Sequence, residues 1–483
     1  MNPSSLIMIR FLVAIAISIP FSTSAQIWTL DSCVNYAHQH NLSVKISEQN
    51  IRLAEMNETV AMGNFLPSLN GQASHGYNWG QRIDQFTNQF ATARIQSNNL
   101  GIASSINLFG GMRQVNTMKQ ASLNTNVSEL NYQKMRNDIA LNVATSYLNV
   151  LINKEFAEIA RRTYDATERQ VKRMEKLVAA GQMSQGNLNE ILAQEATDNA
   201  SVVSTSNSYQ MSKLTMMQLL QLDLKKIDEF EVTVPALEDV ENVIMISNPD
   251  VIVQAALNNF PEIKSAALNV ASSDLGIKIA NAGYSPSLNA SFSYGTGYSG
   301  AAKVLTGNPD TMSLPIGTVL GSGEYVLSLP QLIYGTDDFK TKPFGNQLKD
   351  NVNRSLFFTL NVPLFNGFAT RINSKRAEIS FINAELQLEQ AKLTLEQNVH
   401  SAYNDAKASL SNYYANKTSV SSNEKAFEWA ELRYEQGLTN ITDYADSRTR
   451  LENARATMTR SKYDFIFKLK ILEFYQGKTI SLK

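Results

Sequence analysis

"SSINLFGG", Ser104 to Gly111, returns downstream as "TLNVPLFNG", Thr359 to Gly367, and each copy is followed by a long stretch rich in Gln, Asn and Lys. Sliding the chain against itself by 256 positions, without a gap, places Leu108 on Leu364, Phe109 on Phe365, Gly111 on Gly367 and Lys119 on Lys375. The same offset carries Asn142-Val143 to Asn398-Val399, Tyr147 to Tyr403 and Gly181 to Gly437. A repeat of this length governs any reading of the fold, because each copy must build the same unit.

A second offset, of 219, aligns what precedes these phrases: Ala37 with Ala256, Lys45 with Lys264, and "PSLN" at Pro67 with "PSLN" at Pro286. The two offsets differ by 37 residues, so the second half carries that much extra chain within the Gly-, Pro- and Thr-rich stretch 299–354.

Each unit mixes two periodicities. After Pro67, residues Leu69, Ala73, His75, Tyr77 and Trp79 alternate with Asn70, Gln72, Ser74 and Asn78. Leu288, Ala290, Phe292, Tyr294 and Tyr298 alternate likewise with Asn289, Ser291 and Ser293, and so do the runs Leu100, Ile102, Ile106, Leu108 and Leu356, Phe358, Leu360, Val362, Leu364. A period of two predicts four strands. One face is apolar and ends in aromatics, the other is amide, hydroxyl and glycine, which is the pattern of an outer-membrane barrel with lipid outside and water inside. A soluble sandwich also alternates, but seldom builds its polar face from Asn, Gln, Ser and Gly with so few charges.

Between the glycines the pattern is helical. No Pro or Gly interrupts 112–180 or 368–436, and Ile139, Val143, Tyr147 and Leu151 mark one face at a spacing of four. Such a helix spans roughly 100 Å and calls for a coiled-coil partner. A shorter helix is expected from the Asn248-Pro249 start to about Asn281, and Pro67, Pro286 and Pro363 are expected at helix–strand junctions, with Gly111 and Gly367 at the turns from strand into helix.

Composition sets limits. Charged residues are 18% of 483 and the formal net charge is −1, which offers no basic surface for nucleic acid. Leu6 to Phe21 followed by "FSTSA" reads as a secretory signal peptide, residues 1–25, rather than a membrane anchor, whose apolar run would be longer. Cys33 is the only cysteine, so no intramolecular disulfide forms; it reads as a buried helix residue. The four histidines, His38, His40, His75 and His400, have no metal-ligand spacing, and no nucleophile or phosphate-loop motif is present, so neither catalysis nor a metal nor a cofactor is expected.

Four strands are too few to close a barrel, and a spanning sheet tolerates no free edge, so closure requires several chains; three copies supply twelve strands. At this point the chain resembles the TolC family of outer-membrane efflux channels (outer membrane factors). The resemblance rests on the duplicated order helix, PSLN, strand pair, LFxG, long helix, on "YEQGLTNITDY" at Tyr434 to Tyr444 and on the leader, and it covers essentially the whole mature chain. It implies an α+β membrane protein: a homotrimer with a twelve-stranded β-barrel, four strands per chain, continued by an α-helical coiled-coil tunnel across the periplasm. It also implies a periplasmic adaptor (membrane fusion protein) and an inner-membrane transporter of RND or ABC type, the chain being the passive exit duct of efflux or type I secretion.

The expected first repeat, 26–247, holds a helix, a strand pair at about 66–110, a helical hairpin at about 111–222 and a linker at 223–247. The second, 248–483, holds a helix, a strand pair at about 285–365 with a long extracellular loop at 299–354, and a hairpin at about 367–475. The loop is expected to act as a lid or constriction at the outer mouth. By the resemblance, Gly181 and Gly437 lie at the periplasmic tip and receive the adaptor; as sequence alone, each is also a helix terminator. Asp443 and Asp446, with first-repeat counterparts Asn187 and Glu190, match the family's acidic aperture, although acids near a helix start also favour its dipole. Tyr434 matches the tyrosine of the family's closed-state clamp, whose other positions are Thr439 and Asn187 here, leaving only an uncharged hydrogen bond. The competing function is a structural or adhesive coiled-coil surface protein, which the alternating strands oppose.

Overall fold

In the computed structural model the described residues are 27–84, 87–88, 90–91, 94–234, 248–308, 310–333, 335, 338–478 and 480. The expected leader, 1–25, and the 235–247 part of the expected linker lie outside them. In chain order the elements are β1 (Ile27–Trp28), α1 (Leu30–His40), α2 (Leu42–Gly63), β2 (Ser68–Asn78), β3 (Arg82–Ile83), β4 (Phe90–Ala91), β5 (Ile95–Gly110), α3 (Arg113–Ala179), α4 (Gln185–Leu220) and β6 (Glu231–Val232). The second half continues with α5 (Pro249–Asn259), α6 (Pro261–Asn281), β7 (Ser287–Ser299), β8 (Lys303–Leu305), β9 (Asp310–Met312), β10 (Pro315–Thr318), β11 (Tyr325–Leu327), β12 (Gln331–Ile333), β13 (Phe339–Thr341), α7 (Phe344–Asp350), β14 (Asn353–Asn361), α8 (Ala369–Glu435) and α9 (Ile441–Tyr475). The chain divides into two compact units, one formed by Met56–Ser122 with Ser272–Phe381, the other by the remaining described residues.

The main sheet of the strand unit is antiparallel, in the order β14-β7-β5-β2. Its register puts Leu69, Ala73, Leu100, Ile102, Ala290, Phe292, Tyr294, Leu356, Phe358 and Leu360 on one face. Arg94 lies 5.0 Å from the centre of the Tyr77 ring and Arg354 5.6 Å from that of Tyr294, so cations cap the aromatic rows near the strand ends away from the helices. The opposite face is stitched by polar cross-strand pairs: Ser68 with Ser105 at 2.9 Å, Ser293 with Ser355 at 2.6 Å, and Asn107 donating to Asn289 at 3.1 Å. Phe357, opposite Ser291, is the aromatic exception on that face.

One expectation about register is corrected. The alternating set Leu100, Ile102, Ile106, Leu108 breaks at its last member, because β5 carries a bulge between Asn107 and Phe109, and Phe109 is the residue opposite Leu288. An extra residue in one strand flips the parity of all that follow. Period counting along a single strand does not register this.

Pro67 and Pro286 stand immediately before β2 and β7, and Pro363 follows β14, which ends at Asn361. At both strand–helix turns two consecutive residues take left-handed backbone: Gly111 and Met112 at φ 62° and 64°, Gly367 and Phe368 at 62° and 66°. The repeat thus reaches down to dihedral angles. The two glycines differ in their surroundings. A Cβ on Gly111 would sit 2.5 Å from Ser285 Cβ and 3.0 Å from the Ala282 carbonyl, whereas one on Gly367 would meet nothing within 4 Å.

The 299–354 segment, expected as a long loop, carries three antiparallel strand pairs. β8 pairs with β13, β9 with β12 and β10 with β11, three nested rungs of one ribbon. The isolated turn residues in its sequence hid the pairing, since each rung is only three or four residues long.

The long helices α3 and α8 are each 67 residues long, and their ends differ by the same 256 positions. α3 returns as α4 and α8 as α9. Contacts between hairpin partners include Thr167 donating to the buried Asp198 at 2.6 Å and the Arg455–Glu424 ion pair at 2.9 Å. The core is built on α3 around Val143, Tyr147 and Val150, packed with Cys33, Ala37, Met216, Ala256, Val399 and Leu472. Tyr147 Oη lies 2.6 Å from the Thr233 carbonyl and 3.2 Å from that of Trp28, tying α3 to the parallel β1–β6 pair. Cys33 is fully buried in α1, and burial pushes its thiol up to about 12.

The single helix expected from 249 to 281 is in fact two, α5 and α6, broken at Phe260, whose backbone is extended at ψ 133°. Pro261 forces this, because a residue before proline is driven out of the helical region. The first half breaks at the equivalent place without a proline: Asn41 caps α1, accepts from Ser43 N at 2.9 Å and donates to Leu219 O at 2.9 Å. A side-chain amide does there what the pyrrolidine ring does in the second half.

The asymmetry of the two turns is testable by urea unfolding. Gly111→Ala is expected to cost several kcal/mol, because both backbone and steric terms oppose it, and Gly367→Ala about 1–2 kcal/mol from the left-handed backbone alone. Equal midpoints for the two variants would contradict the difference in packing.

Candidate functional site

The far turns of the two helical hairpins are built identically. At the first, Gln182 N donates to Leu177 O and Gly181 N to Val178 O, both at 2.9 Å, with Gly181 at φ 72°. At the second, Leu438 N donates to Arg433 O at 2.8 Å and Gly437 N to Tyr434 O at 3.0 Å, with Gly437 at φ 71°. This crossed pair is the Schellman closure, and it explains the glycines as helix terminators. A Cβ on either glycine would meet no atom within 4 Å, so among the described residues nothing occupies the surface above them.

The next helices start with side-chain caps. Ser184 Oγ accepts from Asn187 N at 3.3 Å, and Asn440 Oδ1 accepts from Asp443 N at 2.7 Å. Asn187 and Asp443 are therefore the same N3 position in the two repeats, and Glu190 and Asp446 follow one turn later. Asp443 is exposed and accepts from Thr439 Oγ1 at 2.9 Å. Asp446 pairs with Arg450 at 2.6 Å with both side chains more than half exposed. Glu190 accepts from Thr442 Oγ1 at 3.1 Å and so joins the two hairpins.

Thr439 therefore lies beside Asp443, while Tyr434 stacks on Tyr444 with ring centres 5.0 Å apart and planes 23° from parallel. Asn187 donates to Met183 Sδ at 3.6 Å. Within one chain the three clamp positions thus have three separate partners. Burial pushes the hydroxyls of Tyr434 and Tyr444 above the usual phenol range, so both stay neutral. They sit on a small core of Val171, Met174, Ile191 and Ile441 that holds the two hairpin tips together. Sequence reasoning missed Tyr444 and Arg450. The i,i+4 spacing of Asp446 and Arg450 was a readable signal; the ring stack was not.

The second candidate surface is the amide and hydroxyl face of the sheet, with Ser68, Asn70, Gln72, Asn99, Ser105, Ser291, Ser293, Ser355 and Thr359. It carries donors and acceptors without charge, suited to line water rather than to grip one ligand.

Each histidine has a separate partner: His38 the Arg136 carbonyl, His40 the Tyr36 carbonyl, His75 Asn98 and His400 Glu396. Among the described residues no three His, Cys, Asp or Glu side chains gather as a metal site would need, and no helix is long and apolar enough to cross a membrane.

The outer membrane efflux protein family model matches residues 33–221 and 252–466, the two repeats in turn. The outer membrane protein TolC of Escherichia coli K12 is 24% identical over 450 residues, covering 92% of this chain and 81% of that one. The TolC of Vibrio cholerae is 23% identical over 481 residues, covering 95% and 94%. Among solved structures, the Campylobacter jejuni outer membrane channel CmeC superposes with a TM-score of 0.71 at 16% identity, covering 94% of this chain and 86% of that one. VceC of Vibrio cholerae superposes with a TM-score of 0.70 at 16% identity, covering 93% and 96%. The fold is that of these channels, and the chain belongs to the outer membrane efflux protein family.

Proposed function

We propose that the protein is the outer-membrane exit duct of a tripartite efflux or type I secretion system in a Gram-negative cell, working as a homotrimer that conducts passively and catalyses nothing. The observation that carries this reading is the four-stranded sheet with one apolar face, one uncharged polar face and two unpaired edges, β2 and β14. Lipid supplies no hydrogen-bond partners, so those edges have to be satisfied by other chains. Pairing β14 of one protomer with β2 of the next closes twelve strands around a polar lumen, with the apolar faces and their aromatic ends against the bilayer.

The helical hairpins then form the periplasmic conduit. Their glycine turns receive a periplasmic adaptor, which couples the duct to an inner-membrane pump of RND or ABC type. Three copies bring Asp443, Asp446 and Glu190 around one axis, where clustered carboxylates attract cations. Arg450 offsets Asp446 within each chain, whereas Asp443 and Glu190 have only neutral hydroxyl partners and supply the uncompensated field. With Thr439 and Asn187 in place of a charged clamp, closure of the tip rests on the Tyr434–Tyr444 stack and the Glu190–Thr442 bond, both of them salt-insensitive compared with an ion pair.

Planar-bilayer recording of the purified protein, with its mass in detergent, tests the reading: discrete cation-preferring channels from a trimer are expected, and a non-conducting monomer would refute it. Asp443→Asn is expected to weaken cation preference and cation block more than Asp446→Asn; the reverse order in bi-ionic reversal potentials would remove Asp443 from the aperture. Gly181→Ala with Gly437→Ala is expected to cost only about 1–2 kcal/mol per site, from backbone strain, while sharply lowering cross-linking to the adaptor in cells. Undiminished cross-linking would leave the glycines as helix terminators alone.

A further inference from the structure

The ribbon formed by β8 to β13 departs from the sheet at the end opposite the helices, since β2, β5, β7 and β14 all meet helices at their other ends. Its base is firmly seated. Gln347, fully buried in α7, donates to the Ser299 and Lys342 carbonyls at 3.0 and 2.8 Å and accepts from Ser299 N at 2.9 Å. Ser299 Oγ donates to the buried Asp84 at 2.5 Å, which also accepts from Thr87 N at 2.9 Å, so the first loop and the ribbon base share one polar knot. Thr296 donates to Leu348 O and Asn351 to Gly297 O, clamping α7 onto β7.

Toward its tip the ribbon is apolar and bare. Leu314, Ile316, Val319, Tyr325, Leu327 and Leu329 are exposed, Leu320 at the tip completely so, and within 311–333 Glu324 is the only charged residue. A two-stranded ribbon is marginal alone in water, and this much exposed apolar surface marks a contact.

Resting on the trimeric channel of the preceding section, we propose that the ribbon's partner is the same ribbon of the neighbouring protomers, the three packing together as an apolar cap over the extracellular mouth. Three observations select that occupant. The ribbon returns through α7 directly into β14, the edge strand that meets the next protomer, so it continues an interface the barrel already requires. Its outer part, 311–333, has Glu324 as its one charged residue, so three tips converge on an axis with little repulsion. Its rungs β9 and β12 have free edges, and an identical ribbon supplies matching backbone groups. Passage through the duct then requires the cap to part, which gives the channel a second barrier besides the periplasmic tip.

The test uses Leu320→Cys in the full-length protein in intact cells; the buried Cys33 does not compete for thiol reagents. A short-armed bis-maleimide is expected to convert monomer into covalent dimer within a trimer of normal mass. Excision of residues 310–333 is expected to leave the trimer intact, raise single-channel conductance severalfold and sensitise cells to large antibiotics. A trimer that conducts normally but gives no dimer, whether its tip thiol is freely labelled or shielded by lipid or another protein, overturns the cap and leaves the duct standing. Unchanged conductance and antibiotic exclusion after excision does the same. A wild-type protein that is monomeric and silent removes both readings.

Discussion

A sheet of four strands with both edges unpaired is an incomplete object in a membrane, and most of this molecule is arranged around completing it. Water can satisfy a free strand edge, but hydrocarbon cannot. The division of residues between the two faces fits lipid on one side and water on the other. The duplication answers the same demand: each copy supplies one strand pair and one helical hairpin, so every chain contributes two similar units.

The duplication is closer in backbone than in side chains. The paired left-handed residues at 111–112 and 367–368, the two 67-residue helices and the two Schellman turns coincide almost residue for residue. The chemistry around them has diverged. Gly111 is packed tight where Gly367 is open, Asn41 breaks a helix where Pro261 breaks its counterpart, and Asn187 stands where the second repeat has Asp443. Backbone constraints such as a positive φ admit few residues, whereas a surface side chain is free to change once its neighbours differ. Acidity at the tip is therefore concentrated in the second repeat, and any pore built from these chains alternates strongly and weakly acidic positions.

The same divergence places functional weight on the ribbon, for which the first repeat has no counterpart of comparable length. Its base is fixed by buried polar groups that satisfy one another, while its tip leaves apolar groups in the open. That contrast is the mark of a surface made for contact rather than of a loose connection.

Much of this was legible in the residues. The repeat, the four strands and their faces, the long helices, their turns at Gly181 and Gly437 and the buried position of Cys33 all follow from periodicity and from the few residue types that permit a turn, because these are local constraints that a side chain or its absence expresses directly. What tertiary structure decided was what depends on partners distant in sequence: the bulge that replaces Leu108 with Phe109 opposite Leu288, the pairing of three short rungs into a ribbon, the stack of Tyr434 on Tyr444, and the meeting of Asp84 with Ser299 across more than two hundred residues. Periodicity records which way a side chain faces along its own strand or helix, but not which strand lies beside it, and those contacts exist only once the chain has brought the neighbours together.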